Sequence, residues 1–177
     1  MKLTSVVIAA IISVWMSSCT AQPYVYTSLF DPPKSTVIDI EEEKMFTDHR
    51  VFSVLACKSD SQFICLLFSD GYPYFAVPRD GILETGLSWE LNGATFQAIG
   101  TVEKPFFGTK VEGIVIDRLK DNSDQPSVRF IYSEQMGLLA FASIEFEATS
   151  GQGRKITYVM LSGERLLEGQ KGFGARK

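Results

Sequence analysis

Asn92-Gly93 stands between two runs of alternating apolar residues, Leu87-Ser88-Trp89-Glu90-Leu91 and Ala94-Thr95-Phe96-Gln97-Ala98. Both residues of the pair accept the positive φ of a type I′ turn, which makes this dipeptide the strongest short hairpin signal in the chain. A two-residue loop fixes the register. Leu91 then opposes Ala94, Trp89 opposes Phe96, and Leu87 opposes Ala98. These six share one face, while Ser88, Glu90, Thr95 and Gln97 share the other. Turn chemistry, pattern and cross-strand pairing all specify the same local structure.

The same period of two recurs along the chain. It predicts strands over Thr36–Ile40, Val51–Cys57, Phe63–Ser69, Tyr74–Val77, Val111–Arg118, Ser127–Ser133, Leu138–Glu147 and Lys155–Leu161. Breakers separate them: Asp70-Gly71, Asp80-Gly81, Lys120–Pro126 and Thr149–Gly153. Ser127 to Leu161 reads as a three-stranded meander turning at Glu134–Gly137 and Ser150–Gly153. Only Asp39–Phe46 reads as helix, two turns long, with Asp39 as N-cap and carboxylates in the first turn. Many short strands without alternating helices predict an all-β, mainly antiparallel fold. The expected form is a single-domain sandwich or open barrel with at most one or two short helices.

Composition narrows the function. Seventeen basic residues against 21 acidic ones give a net charge of −4, which excludes a general nucleic-acid binder. Three cysteines and one histidine are little material for a metal site, and no cofactor motif occurs.

The N-terminus reads as an address. Met1-Lys2 is a short positive start, and Ser5 to Met16 carries no charge. As a helix these residues span roughly 18 Å, too short for a hydrocarbon core of about 30 Å. An export signal fits better. The run ends in Met16-Ser17-Ser18-Cys19, which resembles the lipobox of bacterial lipoproteins, with Met16 in place of the usual Leu. The resemblance covers the signal alone. It implies that Cys19 is acylated and becomes the mature N-terminus, anchored in a membrane by several acyl chains. Thr20, rather than Asp, then implies the periplasmic face of the outer membrane if the source is Gram-negative. The competing reading is cleavage by the ordinary signal peptidase before Gln22. The organisation expected from this is a signal peptide over 1–18, a lipidated N-terminus and tether over 19–35, a β-rich domain over 36–168 and a flexible basic tail over 169–177. Tyr24-Val25-Tyr26 is a rival first edge strand within the tether.

Cys57 and Cys65 flank a segment that folds as a hairpin centred on Ser61, with Leu55 facing Leu67 and Ser53 facing Ser69. A directly opposed, non-hydrogen-bonded pair brings the two cysteines to disulfide distance. Export supplies the oxidising compartment. Acylation of Cys19 leaves an even number of thiols. Free buried thiols are the plain alternative.

Chemistry-bearing constellations are few. His49 follows Asp48, but no Gly-x-Ser-x-Gly elbow occurs, and a surface loop is the simpler reading. Asp39, Glu41, Glu42 and Glu43 read as a solvated face. Asp121-Asn122-Ser123-Asp124 lacks the glycine and closing glutamate of a calcium loop. Gly169 to Gly174 lacks the strand-to-helix context of a phosphate loop. Phe106 and Phe107, bounded by Pro105 and Gly108, are the candidate contact with a partner or a membrane, against packing across one end of the sheet. No catalytic or metal-ligating residue is assigned. The leading expectation is a lipid-anchored, non-enzymatic binding or assembly module. Its partner would be an envelope protein, peptidoglycan or a small ligand. A carrier of lipid or another apolar ligand and an envelope hydrolase are the alternatives.

Overall fold

The computed structural model describes residues 23–28, 34–47, 50–106, 109–119, 126–146, 153–160 and 173–176. Of these, 104–106, 109, 143–146, 153–156 and 160 are described by their backbone. Twelve strands follow one another: β1 (Tyr24–Ser28), β2 (Ser35–Asp39), β3 (Lys44–Thr47), β4 (Val51–Ala56), β5 (Phe63–Phe68), β6 (Pro73–Pro78), β7 (Ser88–Leu91), β8 (Ala94–Phe106), β9 (Thr109–Leu119), β10 (Pro126–Ser133), β11 (Gly137–Phe146) and β12 (Gly153–Met160). The expected all-β, antiparallel fold is what the chain forms, and no helix occurs among the described residues.

The strands make one antiparallel sheet in the order β6-β5-β4-β3-β2-β1-β12-β11-β10-β9-β8-β7. This is a meander joined end to end: β1 pairs with β12, and the only unlatched neighbours are β6 and β7. The sheet is thereby a nearly closed barrel. Because every pairing is antiparallel, the start of β1 and the turns β2–β3, β4–β5, β6–β7, β8–β9 and β10–β11 lie at one rim, called here the N-terminal rim. The other turns lie at the opposite rim.

The Asn-Gly hairpin forms as its sequence requires. Asn92 and Gly93 have φ of 47° and 84°, Leu91 pairs with Ala94, and Trp89 stacks on Phe96 at 6.0 Å. Ala98 N–H donates to Leu87 O at 2.9 Å, completing the third pair. Leu87 itself is 38% exposed, because it lies just before the first residue of β7 and nothing continues the covering face there.

Three expectations are corrected. Asp39–Phe46 is not a helix. Asp39 Oδ1 does accept the Glu42 N–H at 2.9 Å, but the chain reverses through Ile40–Glu43, with Glu43 at φ 54°. Met45 and Phe46 then pair with Ile38 and Val37, so burial along a ladder overrides local capping. The segment expected as a tether contains a strand. Residues 24–28 form β1, neither tether nor edge strand, hydrogen-bonded to β2 on one side and β12 on the other. Tyr26 is fully buried there. The tail is not loose at 173–176, where Phe173 is buried.

Inward-facing side chains from all round the sheet meet in one core that is dominated by rings. Phe75 contacts Phe130 at 5.1 Å and Tyr132 at 5.8 Å; Tyr74 contacts Phe130 at 5.7 Å and Phe141 at 5.8 Å. A bulge on β6 makes this possible. Leu66 pairs with Phe75 and Leu67 with Pro73, leaving Tyr74 extra, so two successive rings enter the interior. Strand β6 thus packs face to face against β10 and β11, and the barrel is flattened like a sandwich. Edge-to-face rings of this kind add about 0.5–1.5 kcal/mol per pair beyond area burial.

Burial pushes the phenols of Tyr24, Tyr26 and Tyr74 up, and that of Tyr132 to about 12, where the Arg176 guanidinium works against it. The folded values lie above the ordinary value of 10.0, so the neutral phenols stabilise the fold fully below that pH. That stability is lost as pH rises through the folded values. Alkaline spectrophotometric titration is expected to show four of the six tyrosines silent near pH 10, ionising only together with unfolding. Six phenols titrating together at the ordinary value contradict this packing.

Candidate functional site

The interior, the seam and the N-terminal rim are the three places where such a barrel can act. The interior holds packed rings and tethered hydroxyls. Tyr26 O–H donates to Leu138 O at 3.1 Å, and Tyr132 O–H donates to Gly174 O at 2.7 Å. Among the described residues no three of His, Cys, Asp and Glu gather as a metal site would require.

The seam between β6 and β7 is closed by side chains instead of a backbone ladder. Trp89 Nε1 donates to Ala76 O at 3.1 Å, Asn92 Nδ2 donates to Gly71 O at 2.8 Å, and Arg118 donates to Pro73 O at 2.9 Å. Arg118 also lies over the rings of Tyr72 and Tyr74, at 5.5 and 5.9 Å. Pro73 and Pro78 bound β6, and proline is tolerated at a strand edge because its missing N–H breaks no ladder there. The exposed edge is therefore satisfied from outside rather than left as a template for another strand.

At the N-terminal rim the C-terminal residues hook across the barrel mouth. Phe173 sits between Tyr24 at 5.9 Å and Phe75 at 6.3 Å, and its carbonyl accepts Leu138 N–H at 2.9 Å. Gly174 has φ +79°, and a Cβ there would lie 2.5 Å from Ile64 Cγ2, so only glycine lets the chain pass so close. Arg176 then ties two turns together. It pairs with Glu134 Oε1 at 2.6 Å and donates to Gly81 O at 2.8 Å and to Pro78 O.

Beside the hook, strands β8 and β9 leave the barrel. The pairing of β9 with β10 ends at Ile114–Tyr132, whereas β8 and β9 continue to Phe106–Thr109. Residues 102–106 and 109–113 therefore form a two-stranded ribbon that stands past the rim. Gly113 at its base meets Ile131 closely: a Cβ would lie 2.8 Å from that side chain. Lys110 pairs with Glu103 at 2.9 Å along the ribbon, both exposed.

Of the residues singled out from sequence, Cys57 and Cys65 come together as a disulfide, with Cα atoms 5.1 Å apart. Leu55 pairs with Leu67 as expected, and Ser69 N–H donates to Ser53 O. The cysteines occupy a hydrogen-bonded position, not the non-hydrogen-bonded one expected, since Cys57 N–H donates to Cys65 O at 3.0 Å. Phe106 is the last residue of β8, at the end of the ribbon, not in a loop. Phe107, Cys19, Asp48, His49 and the Asp121–Asp124 segment lie outside the described residues. Glu41, Glu42 and Glu43 are exposed at the N-terminal rim. The bidentate Arg129–Asp117 pair, at 2.7 Å, went unremarked in the sequence because its members are neighbours only across β9 and β10. The hook was legible only as an isolated Phe173 among glycines.

The fold and rim describe a nearly closed antiparallel meander with a packed core. No family model matches the sequence, no curated protein matches it, and no solved structure matches the fold.

Two substitutions test the scaffold. Replacing both cysteines by serine is expected to cost about 2.6 kcal/mol, from loop closure in the unfolded chain, read as a lower urea midpoint under non-reducing conditions. Phe173→Ala is expected to cost about 3–5 kcal/mol and to open apolar volume at the rim. An unchanged midpoint in the latter variant contradicts the hook.

Proposed function

We propose that this protein is a lipid-anchored lipoprotein of the cell envelope that acts as a non-enzymatic binding or assembly module, working through its outer surface. The observation that carries this reading is the ring-filled interior, closed at one mouth by Phe173 and Arg176. Such an interior offers a scaffold, and a scaffold acts through what it displays. The lipobox-like Met16-Ser17-Ser18-Cys19 supplies the anchor, and the Cys57–Cys65 bond suits an oxidising compartment.

A carrier of apolar ligands is the second reading, and one observation favours it. Phe173 reaches the interior from a segment outside the sheet and contacts rings of β1 and β6. Its withdrawal would free space lined by Tyr24 and Phe75. The hydrolase alternative rests on Asp48 and His49, and substituting both without loss of any measured turnover removes it.

Expression in a Gram-negative host tests the anchor. Intact mass is expected to show acylated Cys19 as the first residue, and Cys19→Ser is expected to release the chain from the membrane fraction. A wild-type chain that begins at Gln22 and fractionates as soluble material overturns the reading.

A further inference from the structure

We propose that the N-terminal rim lies against the bilayer, with the end of the β8–β9 ribbon and Ile82 in a zwitterionic headgroup layer. This rests on the lipid-anchor reading above. It adds an orientation and a contact surface to it.

The length of chain between anchor and fold sets the geometry. The first strand begins at Tyr24, so five backbone steps join it to Cys19. Fully extended they reach about 17 Å. The sixteen-residue segment read from sequence as a tether would have reached roughly 50 Å and left the domain free to tumble. The short link starts at the same rim from which the ribbon projects. The ribbon stands five residues past the end of its pairing with β10, again about 17 Å. An anchored Cys19 therefore cannot hold the bilayer beyond the ribbon's reach.

The rim also presents the most exposed large apolar side chain among the described residues. Ile82 is 77% exposed, on the connection between β6 and β7. It is not on a slack loop. Leu83 beside it is buried, Gly81 O accepts Arg176, and Gly86 N–H donates to Ala98 O at 2.7 Å. Fixed outward on a pinned connection, on the rim that the short link holds near the bilayer, Ile82 would bury its apolar side chain on contact with the acyl boundary. Charge selects the kind of surface. Among the described residues of this rim carboxylates, Glu41, Glu42 and Glu43 foremost, outnumber basic side chains, and Lys44 and Lys110 pair with Glu42 and Glu103, so the rim offers no basic patch to draw an anionic membrane.

Acylated protein in phosphatidylcholine vesicles carrying nitroxide lipid tests this. A fluorophore is placed at Ile82→Cys or, as a control near the opposite rim, at Glu90→Cys; both positions are exposed and the native thiols are paired. Quenching several-fold stronger at 82 than at 90 is expected, weakening when anionic lipid is added. Equal quenching, or stronger quenching at 90, overturns the orientation while the acyl mass on Cys19 still stands. Unmodified Cys19 in the same sample overturns the anchor and the orientation together. A benzophenone at position 82 that crosslinks in intact cells to polypeptide and not to lipid overturns the bilayer as occupant.

Discussion

Every backbone amide and carbonyl in a sheet needs a partner, and the whole molecule is arranged around that demand. Pairing β1 with β12 removes two of the edges that an open meander would expose, at an entropic cost that grows only slowly with the length of chain enclosed. One seam is left, between β6 and β7. It is satisfied by Trp89, Asn92 and Arg118, whose donors reach the carbonyls of Ala76, Gly71 and Pro73. Closure of the sheet is what creates an inside, and the inside is what the aromatic residues fill.

The same closure explains why the ends of the chain matter. Tyr24 and Phe173 come from opposite ends of the sequence and meet at one rim. Arg176 extends that contact to the β10–β11 turn and to the end of β6. The rim is thus assembled from stretches of chain far apart in sequence, with the acidic β2–β3 turn and the projecting ribbon beside the hook. A surface built this way is rigid where it is tied and protruding where β8 and β9 outrun their neighbours.

Local signals were the legible ones. Asn92-Gly93 specified its turn, register and face without help, and the spacing of Cys57 and Cys65 around Ser61 specified theirs. Asp39 shows the limit of such signals. Its side chain made the capping bond that a helix start wants, yet Met45 and Phe46 found ladder partners in β2 and the helix never followed. Strand β1 was obscured by the prolines around it, and the hook by its glycines. In both, the composition suits a loop until a partner surface is present.

Sequence by itself determined the alternation that makes this chain all-β, the Asn92-Gly93 turn, the paired cysteines and an N-terminal segment unlike the rest. Those features depend on neighbours a few residues apart, where side-chain period and turn chemistry act directly. Tertiary structure alone decided that the sheet closes through its two ends, that Tyr74 and Phe75 both turn inward at a bulge, and that the last residues seal a mouth. Those outcomes depend on burial against partners distant in the chain, and burial is a property of the assembled fold that no local pattern encodes.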